Sequence, residues 1–212
     1  MIVSVRRLLW RFLSPLIRLA ERFRISHSPW ERVPMQVPAA AFGPGSRCPF
    51  ARYFEGESSV RIGSIDEILD WLRDCEYMTD RDLFNERDLW QHPAIFERLR
   101  RGDCEDFALW AWRKLAEVGI DAEFYVGRVV AGAEPEVDRQ HAWVVYRLNR
   151  TDYLFEPAAR SKEQMVRLLA DARDEYVPHF AVNHRFYTSA FFGCILDSYR
   201  DRQRRRYSLQ RI

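Results

Sequence analysis

Between Gly102 and Gly119 the chain carries both the start and the stop signals of a helix, and this segment constrains the fold more than any other. Gly102 breaks the preceding run, and Asp103 can cap a helix that has Asp106 in its first turn. Ala108, Leu109, Trp112, Leu115 and Val118 then recur at helical spacing, and Gly119 is placed to end the helix. Three strand-like runs follow, over residues 121–130, 140–148 and 152–156, the last two separated by a turn at Asn149-Arg150-Thr151. A helix followed by a run of strands predicts an α+β domain, with this helix packed on an antiparallel meander. Cys104 then stands at the amino terminus of a helix.

The neighbouring segments extend this plan. Ser64 and Glu67 form a capping box before Ile65, Ile68, Leu69, Trp71 and Leu72, whose spacing suits one buried helical face. Pro93 can open a short helix through Arg100. A further amphipathic helix is expected over residues 161–173, and the aromatic-rich stretch from Tyr176 to Phe192 is expected to return to the sheet. Residues 27–49 carry Pro29, Pro34, Pro38, Gly43, Pro44, Gly45 and Pro49 with little periodicity and read as an extended linker. The expected organisation is therefore an arm and linker over 1–49, one globular domain over 50–200 and a basic tail over 201–212. A length of 212 residues suits one core with terminal additions.

In the arm, arginine interrupts every apolar run from Met1 to Arg24, which fits neither a signal peptide nor a membrane span. Arg7, Arg11, Arg18 and Arg22 recur beside Leu8, Phe12, Leu16, Leu19 and Phe23, the pattern of a basic amphipathic helix. Such a helix can dock peripherally on a membrane, on a partner or on its own domain. The net charge of +2 conceals this unevenness, with arginines at both ends and acids dominating residues 65–106. A charge run is most often a solvated face, so nucleic-acid binding is not expected. Cys48, Cys75, Cys104 and Cys194 are far apart and form no metal-binding cluster. Two disulfides are formally possible, but without a secretory signal the chain reads as reduced and cytoplasmic.

Cysteine attacks as its thiolate, and a helix amino terminus favours that anion. The free first-turn amides also suit an oxyanion, the amide of Cys104 among them. The missing base is found in His141, which opens the second strand in the run His141-Ala142-Trp143-Val144-Val145. A carboxylate on the neighbouring strand would orient the imidazole, and Glu156 and Asp152 are both candidates. Trp90 or Gln91 could give a second oxyanion donor, although an indole at residue 90 equally suits the core.

The runs Trp90-Gln91-His92-Pro93, Gly102-Asp103-Cys104-Glu105-Asp106-Phe107-Ala108, His141-Ala142-Trp143 and Tyr153-Leu154-Phe155-Glu156-Pro157 resemble, in order and spacing, the motifs of transglutaminase-like cysteine proteases. The resemblance covers roughly residues 60–160 and is closest to short bacterial and archaeal members. It implies a papain-like core with Cys104 as nucleophile, His141 as base and Glu156 as the orienting acid. Glutamate stands where the family usually has aspartate, one methylene longer. The implied activity is hydrolysis of an amide bond in a peptide or protein through a thioester, with no cofactor required. Acyl transfer to an amine and deamidation of glutamine use the same chemistry. A catalytically silent adaptor that keeps the fold and docks through its arm is the alternative from another class. Some bacterial relatives with this motif bind calcium at the acids matching Asp103 and Glu105, which also suit a helix cap and its dipole. Specificity is expected to lie in groove shape and in loops such as residues 132–139.

Overall fold

The structure, a computed structural model, describes residues 27–130 and 140–198. The expected basic helix within residues 1–24, the loop over 132–139 and the tail over 201–212 lie outside the described residues. The chain begins with β1 (Arg32–Val33) and passes through α1 (Ile65–Arg73), β2 (Glu76–Tyr77), α2 (Asp80–Phe84), α3 (Pro93–Leu99) and β3 (Arg101–Gly102). The long helix α4 (Cys104–Glu117) precedes β4 (Asp121–Val129), β5 (Gln140–Leu148) and β6 (Thr151–Phe155). The chain continues with α5 (Lys162–Met165), β7 (Val166–Leu168), α6 (Leu169–Ala172), β8 (Tyr176–Asn183) and β9 (Thr188–Phe191). Among the described residues no helix is long and apolar enough to cross a membrane.

A seven-stranded antiparallel sheet runs in the order β1-β9-β8-β4-β5-β6-β7, and β2 pairs in parallel with β3 as a separate small sheet. The period-2 alternation of β4 and β5 sorts the core into two layers. Phe124, Val126, Ala142 and Val144 join Ala108, Leu109, Trp112 and Leu115 of α4 in the main cluster. Tyr125, Trp143 and Val145 face the other way and pack with Trp30, Leu154, Tyr176 and Phe191. Trp110, Trp112, Trp143 and Phe124 are fully buried, and each such side chain contributes on the order of 1.5–3 kcal/mol.

The helix ends follow from local chemistry. In α1 the Ser64 hydroxyl accepts the Glu67 N–H at 3.3 Å, while the Glu67 carboxylate accepts the Gly63 N–H at 3.0 Å. Pro93 opens α3, and Arg100 at φ 53° turns the chain out of it. Asp103 has extended backbone before α4, and its N–H donates back to the Asp106 carboxylate at 3.4 Å. Beyond α4, Gly119 adopts φ +78°, a left-handed conformation that glycine takes without steric cost.

Two segments differ from the sequence-based expectation. Residues 27–49 were read as a linker, yet their side chains pack across the boundary expected near residue 50. Trp30 donates its indole N–H to the carbonyls of Arg173 and Tyr176 at 2.9 and 3.0 Å, and the Phe42 ring meets Phe50 at 4.6 Å. Proline limits regular backbone pairing without preventing burial of the side chains between prolines. The helix expected over 161–173 is split by β7, in which Val166 and Leu168 pair with Phe155 and Tyr153. The open edge of β6 offers backbone partners there, and tertiary pairing overrides the local helical period.

Candidate active site

The start of α4 lies against the strand that carries His141. β5 pairs with β6 only from Val144 to Leu148, so residues 141–142 extend beyond the end of β6. The backbone amide of Ala142, the residue that follows His141, is among the groups that act on the Cys104 thiol. The Cys104 S–H donates to Glu105 Oε2 at 3.2 Å. No hydrogen bond joins Cys104 to His141 among the described residues. A helix start alone would favour the thiolate. Instead burial pushes the Cys104 thiol well above its ordinary range, the Glu105 and Asp103 carboxylates push the same way, and the Ala142 amide opposes them.

The register also sets the second contact. Because Val144 lies opposite Phe155, Glu156, one residue beyond the end of β6, falls diagonally across from His141. His141 Nε2 and Glu156 Oε2 are 2.6 Å apart. The Tyr176 hydroxyl donates to the same carboxylate oxygen at 3.1 Å, and the Glu156 N–H donates to the Met165 carbonyl at 2.7 Å. Trp143 supports the imidazole ring, 6.3 Å between centroids and 20° from parallel. In the tautomer that donates Nε2–H to Glu156, Nδ1 is left with the lone pair that can take a proton. Asp152, the other acid considered for orienting His141, is instead held in a two-pronged pair by Arg147 at 2.6 and 3.0 Å.

Acids crowd the other side of Cys104. Carboxylate oxygens of Asp80, Asp103 and Asp106 lie within 4.8 Å of one another, as do those of Asp80, Asp88 and Glu105. Asp103 and Glu105, the two acids singled out in sequence, therefore each sit in one of these groups. Asp80 Oδ1 and Asp103 Oδ1 are buried without a hydrogen-bond partner. Burial, opposed by the Leu89 amide and reinforced by Asp103 and Asp88, lifts the Asp80 carboxyl to about 6. Burial also raises Asp103, Glu105 and Asp106. Gly102 is required at this point, because a Cβ would collide with the Asp106 carboxylate and the Gln91 amide.

Trp90 and Gln91 were candidates for oxyanion donors, and the structure engages both donors elsewhere. The Trp90 indole donates to Asp88 at 3.0 Å and its ring packs in the main core. Gln91 donates its backbone N–H to Asp106 at 2.7 Å, and its side chain amide to the Arg101 carbonyl at 2.9 Å and to Asp106. Sequence reasoning missed Asp80 and Asp88 as neighbours of Glu105, although the acid-rich run 80–88 was visible. It also missed Tyr176, for which no local pattern signals a contact with Glu156.

Among solved structures, calcium-bound Legionella pneumophila LapG is similar at a TM-score of 0.44 and 18% identity, covering 56% of this chain and 63% of that one. The EGTA-treated form gives 0.42 and 17%, covering 65% of each. A Cytophaga hutchinsonii protein described as a candidate cysteine protease gives 0.37 and 15%, covering 74% of this chain and 54% of that one. The chain thus spans less than two thirds of the length of each of these neighbours. A search of curated proteins finds no match. Residues 57–185, more than half of the chain, match the family described as bacterial transglutaminase-like cysteine proteinase, BTLCP, and the chain belongs to that family.

Proposed function

We propose that the chain hydrolyses an amide bond in a peptide or protein through a thioester at Cys104. The observation that carries this reading is the 2.6 Å His141–Glu156 pair, with the backbone amide of the next residue, Ala142, acting on the Cys104 thiol. Once the S–H leaves Glu105, Nδ1 of His141 takes its proton and the sulfur attacks the scissile carbonyl carbon. The carbonyl electron pair moves to oxygen, and the free amides at the start of α4 receive the oxyanion. As the pair returns, the C–N bond breaks and the imidazolium gives its proton to the leaving amine. Water, deprotonated by His141, then attacks the thioester and releases the acid and the thiol. Glu156, itself held by Tyr176, keeps the imidazole in one tautomer throughout.

The acids behind Cys104 fit a hard divalent cation such as calcium, which takes 6–8 oxygen ligands. The buried Asp80 and Asp103 oxygens without partners are the donors such an ion needs, and Glu105, Asp106 and Asp88 complete the set. When bound, calcium would supply positive charge beside the thiol. Glu105, drawn into that set, would release the Cys104 S–H. The basic segments at the two ends, over 1–24 and 201–212, are proposed as peripheral additions to this catalytic unit.

The test compares cellular proteomes of wild type and Cys104→Ala for cleaved proteins. Fragments that disappear in the variant support hydrolysis, whereas identical proteomes count against it.

A further inference from the structure

A cavity of about 430 Å³ opens beside the candidate site, within the size range of ligand pockets. Its apolar lining comes from Leu72, Tyr77, Phe107, Ala158 and Ala159. Leu72 and Phe107 are core residues at 1% and 3% exposure, so the floor is dry. The charged groups at its border are exposed: Arg73 pairs with Asp70 at 3.4 Å, Glu76 pairs with Arg101 at 2.9 Å, and Arg160 faces solvent.

Three connections tie this cavity to the reacting groups. Phe107 follows Cys104 by three residues, so both lie on one face of α4. Ala158 and Ala159 come two and three residues after Glu156. Burial raises the Tyr77 phenol above its ordinary range, and the charges of Cys104, Asp103, Glu105 and Glu156 push the same way. The backbone beside the cavity also suits an extended chain. Among the described residues β2 pairs with β3 alone, and Glu76 and Met78 donate their N–H groups to the Arg100 and Gly102 carbonyls at 2.8 Å each. The N–H and C=O of the intervening Tyr77 therefore point to the opposite edge, where a strand can add.

We infer that this cavity is the specificity pocket of the site, taking one large aliphatic or aromatic side chain of a peptide that lies extended along Tyr77 with its scissile amide at Cys104. This rests on the hydrolase reading above. A Leu or Phe side chain enters the dry floor between Leu72 and Phe107, whereas Asp or Lys would lose hydration there without a buried partner. The small Ala158 and Ala159 leave the room that the side chain occupies.

The test digests a mixture of synthetic peptides, with every residue type represented at every position, using the full chain in calcium and Cys104→Ala as blank. One position relative to the cut should favour Leu, Phe, Tyr or Trp over Gly by about tenfold or more in kcat/KM. That ratio should collapse toward one in Ala159→Phe and in Ala158→Leu, which fill the cavity. A ratio within one protein cancels any general loss of activity, and the two variants fill the space from different points. Cleavage with no apolar preference at any position, or a preference that survives both fillings, overturns the pocket and leaves the hydrolase reading standing. Absence of any cleavage above the blank overturns both.

Discussion

The two ends of α4 bury charge in opposite ways. Near its carboxyl end Lys114, fully buried, meets Glu97 at 3.3 Å, Glu117 at 2.8 Å and the Val60 carbonyl at 2.7 Å. Glu97 in turn accepts from Ser58, from the Ser59 N–H at 2.8 Å and from the Trp110 indole at 3.0 Å. Burial opposes the Glu97 carboxylate, but these donors and Lys114 outweigh it and hold the group below its ordinary range. At the amino end Asp80, Asp103, Glu105 and Asp106 crowd together, and all four carboxyls are raised. Burying charge costs several kcal/mol per ion unless it is paired and hydrogen-bonded. One end meets that requirement with a lysine, whereas among the described residues no cation pairs with the acids at the other. The second arrangement serves a site better than it serves stability.

The comparison breaks most visibly at the paired end. Lys114→Met leaves Glu97 buried without its cation and should cost on the order of 3–5 kcal/mol in urea unfolding. A loss below about 1 kcal/mol, typical of exposed pairs, would show that the network is not a buried pair in solution. At the acid end the addition of calcium should stabilise instead. At a hundredfold excess over its dissociation constant it should add about 2.7 kcal/mol, seen as a higher melting temperature that EGTA reverses. Asp80→Asn should abolish most of that rise, and an undiminished rise in the variant would place the ion elsewhere.

Asp197 offers a third, smaller case of a paired acid. Burial opposes its charge, but hydrogen bonds from His179 at 2.9 Å and from Arg128 at 2.9 and 3.1 Å hold its carboxyl well below the ordinary range. A depressed folded-state pKa contributes stability above the unfolded value of about 3.9 and loses it as pH falls further. Asp197→Asn should therefore cost roughly 1.5–3 kcal/mol at neutral pH, with a gap from wild type that narrows below about pH 4. A gap that is constant with pH would assign the loss to packing. The smallest effect is expected at Tyr176→Phe, which removes one donor to Glu156. A loss of about 1 kcal/mol, or roughly fivefold in kcat/KM, should appear with little change in melting temperature.

The placement of the main elements was legible because each is signalled locally. The break at Gly102, the cap at Asp103 and the apolar spacing through Leu115 mark α4. The alternating runs mark β4, β5 and β6, and their order puts His141 and Glu156 on adjacent strands. What escaped was non-local. Burial of Trp30 depends on carbonyls at Arg173 and Tyr176, and β7 depends on the vacant edge of β6. Asp80 and Asp88 come near Glu105 only because α2 and the turn after it fold against the start of α4. Even the direction in which Cys104 is shifted was illegible from the helix start, since the macrodipole is local and the opposing acids are not.

The most direct measurement is the rate at which iodoacetamide alkylates each cysteine at mildly acidic pH in saturating calcium, read by peptide mass spectrometry in wild type and His141→Ala. Cys104 should react far faster than Cys75, whose thiol is pushed up to about 12 by burial, and faster than Cys48 and Cys194. That advantage should vanish in His141→Ala. Slow labelling of all four cysteines, unaltered by the substitution, would contradict a thiolate–imidazolium pair at Cys104.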